Sequence, residues 1–150
     1  MDFWLDYVGL FLILTGFVIG LGAVNVIDFH AWLGRHSEYW TEAATRTHKI
    51  TKPLIWLGML HVLIGGILFY RSVGFIWLVQ LQLYIGILLA LNGAYLTFRI
   101  SPLLLKHERE GRAGELIPKT IQRTIAMSFI FSFIAWWSEL ALFTLFIVQS

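Results

Sequence analysis

Two ionisable side chains, Glu139 and His61, sit deep inside long apolar stretches of this sequence, where an uncompensated polar group is costly and has to have a partner or a task. Helix rise sorts the polar residues of these stretches into two layers. Measured from the ends that carry the basic loops, Asn25, Asn92 and His61 lie about 6, 9 and 12 Å deep, and Glu139, Gln82 and Gln80 about 22, 24 and 27 Å deep, level with Arg71. Two uses of the outer layer follow. Arg71 turns inward to pair with Glu139, with Gln80 or Gln82 satisfying the remaining oxygens; or Glu139 is a proton or cation site walled by Trp136 and Trp137. In the inner layer a neutral His61 donates one hydrogen bond and accepts another, and Asn25 or Asn92 is the expected partner.

Imidazoles also raise the question of a cofactor. A haem near the inner face would draw on His30 with His48, or on His61 with Met127, and Asp28, His30 and His48 together form a donor set that suits several divalent cations. There is no cysteine, which removes disulfides, thiolate ligands and thiol redox chemistry from this chain. Phosphate loops, nucleophile elbows, His-Glu-x-x-His motifs and hydrolase-type carboxylate pairs are absent from the sequence.

The elements that must carry these residues are transmembrane helices. Of the 150 residues 58% are apolar, concentrated in runs near 7–29, 53–70, 74–98 and 124–148. Each comes close to or exceeds the ~20 residues that cross a hydrocarbon core of ~30 Å. The fold class is therefore all-α, a polytopic four-helix membrane bundle. Pro53 fits the first position of the second span, Pro102 closes the third, and Pro118 leads into the fourth. The acidic, aromatic start Met1-Asp2-Phe3-Trp4 is unlike a cleaved signal, so the first run is expected to stay as a helix.

Lys and Arg fall mainly in the segments 30–52 and 99–123, which the positive-inside rule makes cytoplasmic, with both termini outside. A formal net charge of only +2, with Glu interspersed among the basic residues, argues against a nucleic-acid partner. Arg46, His48, Lys49 and Lys52 are placed instead to meet anionic lipid headgroups. Ser37 is a helix cap followed by Glu38, and the stretch to Thr47 reads as a short interfacial helix in the first loop.

A shift of 70 residues lays span on span, so residues 1–70 and 71–150 are candidates for a tandem two-helix repeat. It superposes Gly16, Gly20 and Ala23 on Gly86, Ala90 and Gly93, small-residue faces where helix backbones approach closely. The expected use is packing of the first span on the third, with a homo-oligomer seam as the alternative.

At the end of the third span, Leu91-Asn92-Gly93-Ala94-Tyr95-Leu96 and Ser101-Pro102-Leu103-Leu104-Leu105 resemble the Asn-Gly helix and Pro-Leu exit of small bacterial membrane proteins related to copper-resistance protein D and HemJ. That resemblance covers about 15 residues and implies a helical bundle associated with haem or copper. HemJ-like proteins rely on a histidine and a lysine within their spans, whereas here the first span has no histidine before His30 and the third has no lysine. The leading expectation is a non-enzymatic bundle that binds a partner, a lipid or a cofactor. Its rivals are a proton, ion or solute transporter or channel subunit using Glu139 and His61, and a haem- or metal-associated redox protein.

Overall fold

The computed structural model describes residues 3–74 and 76–149, and these form helices throughout, with no strand among them. α1 spans Phe3–Gly34, α2 Glu38–Tyr70, α3 Trp77–Tyr95, α4 Ser101–Arg109 and α5 Lys119–Gln149. A π-helical turn, Leu96–Ile100, joins α3 to α4, so that Trp77–Arg109 is one uninterrupted helix of 33 residues. The chain thus has four helices of 31 to 33 residues that are long and apolar enough to span a membrane. At ~1.5 Å per residue each is about 46–50 Å long, more than a hydrocarbon core requires, so their ends project into the polar boundary. Large apolar side chains such as Val18, Leu91 and Phe98 point outward along them, which in a multi-pass protein is the surface given to lipid. Two ends of the bundle are distinguished below: the terminal end, with the start of α1 and the finish of α5, and the basic end, with the connections α1–α2 and α4–α5.

Of the three prolines expected to mark helix ends, Pro118 does lead into α5, whereas Pro53 and Pro102 lie inside continuous helices. Ser37 does cap α2, its hydroxyl accepting from the Trp40 amide at 3.5 Å. The expected interfacial helix is nevertheless not separate: it runs through Pro53 into the second span. Proline removes one backbone donor there, and the surrounding turns carry the helix past it. At Pro102 the ring would press on the carbonyl four residues earlier. The π turn immediately before it widens the backbone, with the Ser101 amide donating to the Leu96 carbonyl five residues back, and the helix absorbs the proline instead of stopping.

The tightest contact is between α1 and α2. A Cβ on Gly58 would stand 2.5 Å from the Cα of Gly20, one on Gly65 2.7 Å from the carbonyl oxygen of Gly9, and one on Gly16 2.8 Å from that of Gly58. These are backbone-to-backbone approaches that only glycine allows. They correct the expected seam: Gly16 and Gly20 face α2 rather than the third span. Gly93 abuts Trp56, where an added Cβ would sit 3.6 Å from the indole, and Gly86 faces Glu139. α3 leans on α5, and α5 on α1. The core they share contains Ile13, Phe17, Leu21, Val24, Leu89, Trp136 and Phe143.

Polar ties close the bundle at its ends. At the basic end Lys49 pairs with Glu108 at 2.8 Å, Lys52 Nζ donates to Ser101 Oγ at 3.2 Å, and Trp56 Nε1 donates to Thr97 Oγ1 at 3.0 Å. The buried Thr41 hydroxyl donates to the Gly34 carbonyl at 2.6 Å and fixes the α1–α2 turn. Beyond α4, Gly111 takes a positive φ of 72°, and the Arg112 guanidinium bonds Glu110 and Glu115, holding the Glu110 carboxyl below its usual range.

The glycine contact can be tested by adding one carbon. Gly58→Ala and Gly65→Ala should each destabilise the detergent-solubilised protein by ~1–3 kcal/mol through overpacking. Gly22→Ala, whose added Cβ would meet no atom within 4 Å, should be neutral or stabilising by up to ~1 kcal/mol. Thermal unfolding followed by circular dichroism separates the two groups; equal effects would refute the proposed seam.

Candidate functional site

Because α2 and α3 are tied at the basic end and joined by a short turn at the terminal end, yet scarcely touch between, a space opens along their length. It measures about 690 Å³ and is lined by Trp56, Leu63 and Tyr70 from α2, Gln82 and Ile87 from α3, and Glu139 from α5, among others. Glu139 is only 6% exposed. Its Oε1 is buried without a hydrogen-bond partner, and the buried Tyr70 hydroxyl and the Gln82 side chain lie within reach of each other in the same lining. Gly86 makes room for the carboxylate: a Cβ there would meet nothing nearer than Glu139 Oε1, at 3.8 Å.

The expected ion pair between Arg71 and Glu139 is not formed. Arg71 Nη1 binds Asp6 Oδ1 at 2.6 Å and donates to the Leu68 carbonyl at 2.5 Å. The reason lies in the packing: α1 is pressed against α2, so the carboxylate of its first turns is within reach before that of α5. Trp136 does wall the cavity, wedged against Gly20, but Trp137 is 45% exposed on the outside. Gln82 lines the cavity and Gln80 does not.

The inner layer is arranged differently from expectation as well. His61 Nδ1 lies 2.8 Å from the Leu57 carbonyl, one turn earlier on its own helix, so the proton is on Nδ1 in the neutral ring and the bond is intrahelical. Neither Asn25 nor Asn92 is its partner. Asn92 instead joins α3 to α5: its Nδ2 donates to the Ser128 carbonyl at 3.1 Å, and the Ser128 hydroxyl donates back to Asn92 Oδ1. His61 is not among the residues lining the Glu139 cavity, so the two groups do not share a path.

Asn25 belongs to a second space of about 430 Å³ toward the basic end, between α1, the first half of α2 and α5. Asp28, Arg35, His48 and Gln122 are its charged and polar members, beside Thr41 and Thr45. Both carboxylate oxygens of Asp28 and Nε2 of His48 are buried with no hydrogen-bond partner. Composition could point to Asp28 and His48 as donors, but their placement around one space depends on α2 being continuous through Pro53, which no local signal gave.

His30 is not in this space. Its ring stacks at a tilt on Trp40, with centroids 5.5 Å apart, and its Nδ1 is also unpartnered. Asp28, His30 and His48 therefore do not converge, and among the described residues no group of three His, Cys, Asp or Glu side chains is arranged to hold a metal ion. Of the haem pair His30 and His48, the first lies against Trp40 and the second lines this space. In the alternative pair, His61 engages its Nδ1 with its own helix, which leaves Nε2 as the available ring nitrogen, and Met127 is 63% exposed.

Comparison with protein-family models, curated proteins and solved structures finds no match to this chain. The side-chain geometry is accordingly what bears on function.

The Arg71 pairing is open to a double-mutant cycle. Asp6→Ala and Arg71→Ala should couple by ~0.5–3 kcal/mol, whereas Arg71→Ala and Glu139→Ala should add to within ~0.5 kcal/mol. The reverse pattern in thermal or denaturant unfolding would restore the pair expected from depth alone.

Proposed function

We propose that this chain is a non-enzymatic membrane protein that takes an amphiphile from the bilayer into the space between α2 and α3. The observation that carries this reading is the combination in one cavity of a long apolar wall, the buried and unpartnered Glu139 Oε1, and the neighbouring polar side chains of Tyr70 and Gln82. From Tyr70 to Trp56 the wall runs fourteen residues, about 21 Å, somewhat more than half of a ~30 Å hydrocarbon core. An acyl or isoprenoid chain of one leaflet has the right reach. A ligand's polar end that donates hydrogen bonds would satisfy the Glu139 oxygen that the protein leaves unpaired, and burying such an atom unpaired is what makes the empty arrangement costly. Apolar walls with a few convergent polar groups are the ordinary composition of a small-molecule site.

The same reading includes an orientation. The excess of Lys and Arg in the 30–52 and 99–123 segments supports a cytoplasmic basic end with both termini outside, in a cell membrane, with Arg46, Lys49 and Lys52 beside anionic headgroups. Since the sequence has no cysteine, single introduced cysteines report cleanly. Gln149→Cys should react with an impermeant maleimide on intact cells and Gly111→Cys only after permeabilisation; the opposite labelling inverts the orientation.

Ligand capture is tested by filling the cavity. Gly86→Leu puts a side chain over Glu139 where there is space for it, and gains ~1 kcal/mol of helix propensity. The variant should stay folded and lose, at least tenfold, the amphiphile that co-purifies with the wild type, as read by mass spectrometry of organic extracts. Equal recovery from both proteins, or no bound amphiphile in the wild type, would sink the proposal.

A further inference from the structure

The cavity at the basic end holds a carboxylate with no counter-charge. No salt bridge among the described residues involves Asp28. Arg35, which also lines the space, is engaged with Trp32: its guanidinium carbon lies 3.3 Å above the centre of the Trp32 ring, and its Nε donates to the Trp32 carbonyl at 3.2 Å. Asp28 thus has both oxygens buried and unpaired in a largely apolar wall that includes Phe29, Ile117, Phe129, Ile130 and Phe133. A carboxylate in such surroundings is strongly unfavourable unless something supplies charge or hydrogen bonds.

We propose that this space is a binding site for a lipophilic primary ammonium ion, its nitrogen against Asp28 and its apolar body among the phenylalanines of α5. Charge complementarity selects a cation over an anion or a neutral guest. Hydrogen-bond capacity suits a primary ammonium: it brings three N–H donors to a space whose buried, unpartnered atoms include Oδ1 and Oδ2 of Asp28 and Nε2 of His48, an acceptor in the Nδ1–H tautomer. A divalent metal is disfavoured because hard cations gather about six oxygen ligands, and no three-residue ligand group is present among the described residues. Aromatic walls add cation–π attraction to a poorly hydrated organic cation. The volume, about 430 Å³, falls in the range of drug-sized ligands and far exceeds that of a single water.

This site shares no lining residue with the Glu139 cavity, so it stands or falls separately from the amphiphile reading. The test is isothermal titration of the full-length protein in nanodiscs with 2-phenylethylamine, its N,N,N-trimethyl analogue and 2-phenylethanol. Saturable binding of the primary amine is expected, with at least tenfold weaker binding of the alcohol and of the quaternary analogue. Asp28→Asn, nearly isosteric, should weaken amine binding at least tenfold, and Ala126→Phe, which fills the space while keeping the carboxylate, should do the same. Gly86→Leu should leave it unchanged. Absence of saturable amine binding, equal affinity for the alcohol, or an unaltered affinity in a monodisperse Asp28→Asn protein overturns the proposal. Loss in Gly86→Leu as well would assign the binding to the other cavity and equally overturn it.

Discussion

The backbones of α1 and α2 meet with no side chain between them, Gly20 against Gly58 and Gly9 against Gly65, and the rest of the bundle is arranged around that contact. In lipid, where apolar surface gains nothing by leaving the solvent, close backbone approach is one of the few sources of helix association. It commits one face of α2 to α1 along the whole span. The opposite face of α2 has no comparable small-residue stripe opposed to it by α3, which settles on α5 through contacts such as Asn92 with Ser128. The space between α2 and α3 is what remains once each has taken its preferred partner.

The ends of the helices hold that space open rather than closing it. Lys49, Lys52 and Trp56 fasten α2 to the α3–α4 helix on one side, and the turn beginning at Arg71 fastens it on the other. Arg71 is itself anchored to Asp6, which ties the turn to α1 and keeps the guanidinium on the α1 side of the mouth. The gap bounded this way lies between α2 and α3, with Glu139 of α5 in its lining.

Much of the architecture was legible in the sequence because hydropathy and helix capping are local properties: the number of spans and the Ser37 cap need no knowledge of packing. Partnership was not legible. Depth placed Arg71 level with Glu139 but gave no information about azimuth, and Asp6 proved to be on the neighbouring helix. Spacing put Gly16, Gly20, Gly86 and Gly93 on small-residue faces, yet left out Gly58 and Gly65, which supply the surface that α1 uses. Pro53 and Pro102 illustrate the same limit. A proline states which hydrogen bond is lost, whereas the surrounding helix decides whether the chain turns or, as in the π segment before Pro102, widens and continues.

The same partition that makes α1 and α2 one unit also keeps the two buried carboxyl groups apart. Trp136 is driven into the notch over Gly20, where an added Cβ would stand 2.5 Å from its ring, and with Leu21, Val24 and Leu89 it forms a packed layer in the core. The Asp28 space lies to one side of that layer and the Glu139 space to the other. An ion crossing the bundle would have to displace a buried indole from a glycine notch, a movement that the dense packing of the layer opposes. The two cavities, each with one carboxyl group and a largely apolar lining, share no lining residue, which is why two separate guests are proposed for them.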